Sequence, residues 1–342
     1  MNETGNKQIE YINLIRITAI ILVIALHAVS PYYINTENFN TRTWWACIAI
    51  NSVSRAGVPL FLMISGYLLL NSPKTLEFAS FYKSRIAKVI IPFIIWSVIY
   101  YVYKSVMAGQ EFNIGLIKKF FDELLNRGTY YHLWFIYTII GAYLIAPFLK
   151  RMVDNCNTKQ LAGLFLLIIL TSSFIRFINI ATPMNIYLFD PLINGYITFF
   201  ILGYILGKAD LSRKIRIAIH IAGIIGIFIS IFGNYKSSSN EKINLLFNEG
   251  AAINHYMIAS AVFVLFKNMK IRNNRLSGIV SHISPLVFGV YFAHALVMDL
   301  ADRLFSFTPA VMIVFSFLIA VLASFLLALI ISKIKYVRKA LL

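Results

Sequence analysis

The sequence predicts an all-α, polytopic integral membrane protein of about ten transmembrane helices with both termini in the cytoplasm. Three observations carry this reading. Of 342 residues, 59% are hydrophobic and only 13% charged, with a mean hydropathy of +0.75, against roughly 45–50% apolar and about 25% charged in soluble domains. That is more apolar side chain than a single water-facing shell can cover. Apolar windows of about 17–25 residues, long enough to cross roughly 30 Å of hydrocarbon, recur at 12–33, 44–70, 87–107, 133–149, 161–180, 190–207, 215–234, 251–267, 283–303 and 309–332. These runs are too long and continuous for the short alternating strands of an outer-membrane barrel. Finally, the 31 Lys and Arg residues segregate by loop. With a cytoplasmic N-terminus, the inner segments hold Lys7, then Lys74, Lys83, Arg85 and Lys88, then Lys150, Arg151 and Lys159. The later inner segments add Lys208, Arg213, Lys214 and Arg216, then Lys267, Lys270, Arg272 and Arg275, and last Lys333, Lys335, Arg338 and Lys339. The outer segments hold only Arg42, Lys104, Lys118, Lys119, Arg127, Arg176, Lys236, Lys242 and Arg303, the asymmetry expected of membrane topology.

The same distribution speaks against nucleic acid as a partner of this +17 chain. A nucleic-acid binder gathers its basic residues on one face or tail, whereas here they lie in short clusters between apolar blocks. The lipid bilayer is the expected partner instead.

In the first window Lys7 precedes an apolar run ending in Ala28, Val29 and Ser30, the outline of a secretory signal. Pro31 directly after the would-be cleavage site, and Arg16 and His27 within the run, favour an uncleaved helix. Arg16 and His27 are eleven residues apart; at about 100° per residue they fall within about 20° of one another on a single face, about 16–17 Å apart along the axis. Arg16 is expected near the cytoplasmic boundary and His27 on the outer side of the midplane. An ionisable residue inside a span is a functional candidate by default. The structural alternatives are snorkelling for Arg16 and a hydrogen bond to a neighbouring helix for His27. Their shared stripe, a cation for an anionic group and an imidazole able to move a proton, favours function.

The second window carries Asn51, Ser54 and Arg55, with Asn51 and Arg55 four apart on one face. A buried guanidinium needs partners. Pro59 is expected to kink this helix and free a carbonyl that lines a cavity, and Ser65 and Gly66 to allow close helix approach. Ahead of Pro92, Arg85 and Lys88 form with Lys83 and Arg16 a basic patch. It serves either positive-inside anchoring or an anionic cytoplasmic cosubstrate. The connections at about 108–131 and 235–250 are polar, suited to short amphipathic or irregular covers and too short for a further domain. With no repeat and no low-complexity tract, residues 1–342 read as one membrane domain. His132, Trp134 and Tyr137 lie at the outer mouth of the fourth window, as an aromatic belt or as substrate-stacking groups. His255 sits on the outer part of the eighth. In the ninth, Tyr291 and His294 are three apart on one face, with His294 near mid-membrane.

There is no glycine-rich phosphate loop, no HExxH or CxxC pattern and no GxSxG elbow. No metal and no bound cofactor are expected. Cys47 and Cys156 are placed on opposite sides of the membrane, so no disulfide is expected between them.

Taken together, Arg16 and His27 with ten residues between them, RAGVPLFLMISGYLL from Arg55 to Leu69, and Arg85-Ile86-Ala87-Lys88 running to Pro92 resemble the acyltransferase 3 family of integral-membrane acyltransferases. LWFIYTIIGAYLIAPFL over 133–149, the stretch 195–207 and FGVYFAH over 288–294 extend the resemblance to essentially the whole chain. One departure is Leu62, where the family often has a second Phe before Ser-Gly. The resemblance implies transfer of an acyl group, mostly acetyl from acetyl-CoA as cosubstrate, to a hydroxyl of a surface polysaccharide or its lipid-linked precursor, in the cytoplasmic membrane of a bacterium. It implies His27 as the catalytic histidine and Arg16 as the essential arginine, and the branch without an appended SGNH domain. Acyl-CoA is then expected on Arg16, Arg85 and Lys88, with Arg55 deeper, and the acceptor near Asn51, Ser65, Trp134, Tyr137, Tyr291 and His294. His27 would act as general base, directly or through a covalent acyl relay. Two rival readings are a transporter exporting a glycan or small metabolite, which predicts inverted repeats and paired broken helices that the sequence does not show, and a ligand-sensing domain like that fused to membrane-bound serine racemases, for which no racemase domain is expected after Leu342.

Overall fold

A long apolar helix has to pack against other helices or face lipid, and α1 (Glu3–Tyr33) packs against several of them, with about half of its span buried. Ile15, Ala19, Ile20, Val23 and Ile24 are shut off from the surface. The computed structural model describes residues 3–111, 113–126, 128–181, 195–248, 250, 252–269 and 273–341. It is all-helical, with no strand among the described residues. The remaining helices are α2 (Arg42–Ser54), α3 (Gly57–Asn71), α4 (Phe78–Met107), α5 (Ile114–Asn126), α6 (Trp134–Asn155), α7 (Thr158–Ala181), α8 (Ile197–Lys208), α9 (Arg213–Ser237), α10 (Ile253–Asn268), α11 (Asn274–Ile283), α12 (Val287–Leu304), α13 (Pro309–Lys333) and α14 (Lys335–Leu341). Helix α1 packs against α2, α3, α10, α11, α12 and α13. Two buried or half-buried bonds anchor its beginning: Ser277 Oγ donates to Glu10 Oε1 (2.5 Å), and Ser284 Oγ to Asn13 Oδ1 (2.9 Å).

Among the described residues, seven segments are long and apolar enough to cross a membrane: Glu10–Tyr33, Arg42–Asn71, Phe78–Met107, Trp134–Asn155, Arg213–Ser237, Asn274–Leu304 and Pro309–Lys333. The chain is thus a multi-pass membrane protein. The other three of the ten expected windows fall on α7, α8 and α10. Two of these helices are short: α8 has 12 residues, about 18 Å at 1.5 Å per residue against roughly 30 Å of hydrocarbon, and α10 has 16. Helix α7 has 24 residues, and its apolar stretch among the described side chains is Lys159–Thr171. Residues 190–194 of the sixth window lie outside the described residues.

The second expected span is not one kinked helix. It breaks at Arg55–Ala56, between α2 and α3, so that Pro59 sits in the first turn of α3, where a missing N–H removes no ladder bond. The break lets α3 press on α1: a Cβ at Gly57 would stand 2.8 Å from the Ala19 carbonyl oxygen. Further along, α3 and α8 meet backbone to backbone. A Cβ at Gly66 would fall 1.8 Å from the Phe200 carbonyl oxygen, and one at Gly203 2.0 Å from that of Met63, the small-residue packing by which membrane helices approach closely.

The connection at 108–131 contains the amphipathic helix α5, which has no buried residue. Tyr101 Oη donates to the Leu116 carbonyl (2.8 Å), Tyr137 Oη donates to that of Leu124, and Lys104 pairs with Glu123. These bonds tie α5 to α4 and α6 and leave Ile114, Ile117, Phe121 and Leu125 exposed.

Candidate active site

Two cavities lie along α1 on either side of a shared aromatic wall. The first, about 250 Å³, is lined by Arg16 with Ser65 of α3, Tyr143 of α6 and Ser284 ahead of α12. The second, about 130 Å³, is lined by His27 with Ser54, Arg55, His132, Trp134 and Tyr196. Phe135 and Tyr291 line both. Helix α1 therefore presents Arg16 to one cavity and His27 to the next.

Among the described residues Arg16 is half-buried with no ion pair and no hydrogen bond. Arg85, exposed on α4, stands close enough for the two like charges to act on each other. Lys88 is also exposed, and neither it nor Arg85 lines the cavity. A half-buried cation with no carboxylate beside it is a strong anion-binding group.

Arg55 caps the C-terminus of α2. Its Nε donates to Asn51 Oδ1 (3.3 Å) and its Nη2 to Tyr33 Oη (3.4 Å). A guanidinium has five N–H donors, so donors are left over in a group that lines the second cavity. It stands at the break between α2 and α3. Asn51 is fully buried behind Arg55 and does not itself line the cavity.

His27 is the centre of a cluster of rings. Its imidazole, half-buried and without a hydrogen bond among the described residues, contacts Tyr131 edge-on (centroids 4.9 Å) and stacks on His294 (5.4 Å, interplanar 30°). His132 in turn meets His294 at 5.0 Å, edge to face. His294 is completely buried, and its Nδ1 lies 2.6 Å from the Tyr291 carbonyl. A carbonyl can only accept, so Nδ1 carries the proton and Nε2 of the neutral ring is a lone-pair acceptor; that Nε2 has no partner. Neither nitrogen of buried His132 completes a hydrogen bond of full geometry; one ring N–H faces the Phe292 carbonyl, which also accepts from the Tyr100 hydroxyl (2.5 Å). That hydroxyl also accepts from the Leu296 N–H (3.0 Å), so it joins two groups of α12 that would pair with each other in a regular helix, on either side of His294. Tyr291 Oη donates to the His132 carbonyl and holds the 128–133 segment to α12. Each unsatisfied buried polar group costs about 1–3 kcal/mol, and such groups gather here. Burial pushes the phenol of Tyr130 up to about 12 and raises that of Tyr131, so both stand by the imidazoles as neutral groups.

Of the acceptor-side residues expected from sequence, Ser65 lines the Arg16 cavity, Trp134 the His27 cavity and Tyr291 both; His294 touches the imidazoles of the second. Tyr137 lines neither, being bonded to the Leu124 carbonyl and packed edge-on against Phe93 (5.0 Å). His255 is taken up locally, its Nδ1 donating to the Gly250 carbonyl (2.8 Å). Sequence reasoning named Ser54 only as a polar residue of the second window, left Phe135, Tyr143 and Tyr131 without a role, and placed His132 only at a mouth. An alternating aromatic run before a span looks like an interfacial belt, and nothing local distinguishes a ring facing His27 from one facing lipid. No group of three or more His, Cys, Asp or Glu among the described residues is arranged to hold a metal ion.

Two comparisons with known proteins cover nearly the whole chain. The profile of a family described as an acyltransferase domain matches residues 9–332. A curated protein described as an amino-acid racemase, from Enterococcus faecalis, is 25% identical over 354 residues, a match covering 95% of this chain and 46% of that protein. The chain thus spans about half the length of this relative. No solved structure matches.

Proposed function

The chain belongs to the acyltransferase family whose profile spans it, and from that premise we propose that it is an O-acyltransferase moving an acyl group, acetyl in the first instance, from cytoplasmic acyl-CoA to a hydroxyl of a cell-surface polysaccharide or its lipid-linked precursor in the bacterial cytoplasmic membrane. The observation that carries this reading is the pair of unpaired groups, Arg16 and His27, in two cavities that share Phe135 and Tyr291 as a wall. Acyl-CoA is a polyanion at one end and a neutral thioester at the other, and the two cavities divide in the same way.

In this account the phosphates of acyl-CoA meet the Arg16 end, with exposed Arg85 and Lys88 drawing them in from the cytoplasm. The thioester reaches past Phe135 and Tyr291. Arg55, in the His27 cavity rather than with Arg16, meets only the acyl end, where its spare donors suit the negative charge that develops on the carbonyl oxygen. The acceptor hydroxyl enters the His27 cavity and gives its proton to His27 as its oxygen attacks the thioester carbonyl. The new C–O ester bond forms, the C–S bond breaks, and the coenzyme A thiolate takes up a proton to leave as the thiol.

The test is mass spectrometry of surface glycans from cells with the wild-type gene, a deletion and His27→Ala, before and after mild base. A base-labile mass of one acyl group, present in wild type and lost in both mutants while His27→Ala remains in the membrane, supports the reading. Unchanged glycans in both mutants refute it.

A further inference from the structure

The proton positions in the histidine cluster determine what kind of molecule fits beside His27. Nδ1 of His294 is committed to the Tyr291 carbonyl, so its unpartnered Nε2 can only accept a hydrogen bond. His294 contacts both His27 and His132, the two imidazoles lining the cavity, and His132, with one ring nitrogen facing the Phe292 carbonyl, keeps the other free for a ligand. A core histidine present only for packing would be expected to satisfy its nitrogens; here two neighbours do not. The acyl end of acyl-CoA, a carbonyl beside a thioether-like sulfur, has no donor to offer His294. A saccharide has several.

We propose that His294 and His132 are acceptor-recognition residues: His294 Nε2 accepts a hydrogen bond from one hydroxyl of the acceptor, and His132 bonds a neighbouring one, so that the cavity selects a polyhydroxylated substrate and presents one of its hydroxyls to His27. This rests on the reading of the chain as an O-acyltransferase. Tyr291 and Tyr100 hold the pair in place, the first through the His132 carbonyl and the second across the turn of α12 that contains His294.

The test uses the full-length chain with three substitutions: His294→Leu, close in volume but with no acceptor; His294→Gln, whose amide oxygen can stand near the Nε2 position; and His27→Ala as the control for the reading itself. Base-labile acyl content of surface glycans is measured in cells, and for the purified protein in detergent the melting midpoint with and without acetyl-CoA. His294→Leu is expected to lower acyl content about threefold to tenfold, the effect of losing a single substrate hydrogen bond, without lowering the midpoint and with the acetyl-CoA-induced rise intact. His294→Gln is expected to retain a measurable part of the acylation. Wild-type acyl content in His294→Leu overturns the proposal, as does loss of its acetyl-CoA response. A midpoint that falls together with acylation in both His294 variants makes the residue structural and equally overturns it. If His27→Ala acylates normally, the reading of the reaction fails; if only His294→Leu does, that reading stands and the recognition proposal fails.

Discussion

Gly66→Ala is the sharpest perturbation of the scaffold behind the Arg16 cavity. A Cβ at this position would lie 1.8 Å from the Phe200 carbonyl oxygen and 2.5 Å from its carbon, where ordinary contact begins at 3.4 Å. Helices α3 and α8 must therefore part by roughly 1.6 Å at this point. The obstructing atoms are backbone, so no rotamer change relieves the clash. Overpacking of this kind costs about 1–3 kcal/mol or more, and the gain in helix propensity on replacing Gly by Ala returns at most about 1 kcal/mol. A net loss of about 2 kcal/mol corresponds to a midpoint lower by roughly 3 °C for a chain of this size. Because α3 also carries Phe61, Ile64 and Ser65 of the Arg16 cavity, acetyl-CoA should bind more weakly as well. The assay is the thermal midpoint of purified protein in one detergent, with Gly141→Ala as control, since a Cβ there meets nothing within 4 Å. If Gly66→Ala and Gly141→Ala melt together, the backbone contact between α3 and α8 is not as described.

Three further outcomes follow from the same geometry. Arg16→Ala should weaken acetyl-CoA binding by at least about tenfold at any salt, whereas Arg85→Ala, at an exposed position, should weaken it only about two- to fivefold in dilute buffer and approach wild type near 0.5 M salt; titration of acetyl-CoA at both salt concentrations separates the two. Asn51→Ala removes the acceptor of the Arg55 Nε bond and should lower glycan acylation by about threefold to tenfold with the membrane amount of protein unchanged, as read by immunoblot beside ester content. Lys267 donates from Nζ to the Leu206 and Ala209 carbonyls (2.8 and 2.6 Å) at the end of short α8; Lys267→Met leaves both unanswered and should lower stability by about 1–3 kcal/mol, seen as a reduced midpoint in detergent.

The helical membrane class and the face shared by Arg16 and His27 were legible because both rest on local periodicity: apolar run length, and the near-coincidence of eleven residues with three helical turns. The Asn51–Arg55 pair was legible for the same reason, since residues four apart on a helix meet. The break at Arg55–Ala56 was not, because Pro59 is as compatible with a kink as with the first turn of a new helix. Nor was the histidine cluster. His27, His132 and His294 come from three distant parts of the chain, and only tertiary packing stacks them. The shared Phe135–Tyr291 wall is of the same kind: each residue alone looks like apolar filling of a span. Tyr137, by contrast, sits on the same apolar stretch as Trp134 and turns instead towards the Leu124 carbonyl, a choice set by α5 and not by its own neighbours.

The central claim is that an acyl group delivered at the Arg16 end leaves at the His27 end. Right-side-out membrane vesicles loaded with carbon-13 acetyl-CoA, carrying either the wild-type chain or His27→Ala, test this by mass spectrometry of the esters on their outer glycans. The account predicts labelled acetyl ester on the outer face with the wild-type chain and none with His27→Ala. Label that remains with coenzyme A inside, or that reaches the outer glycans equally in both, would contradict it.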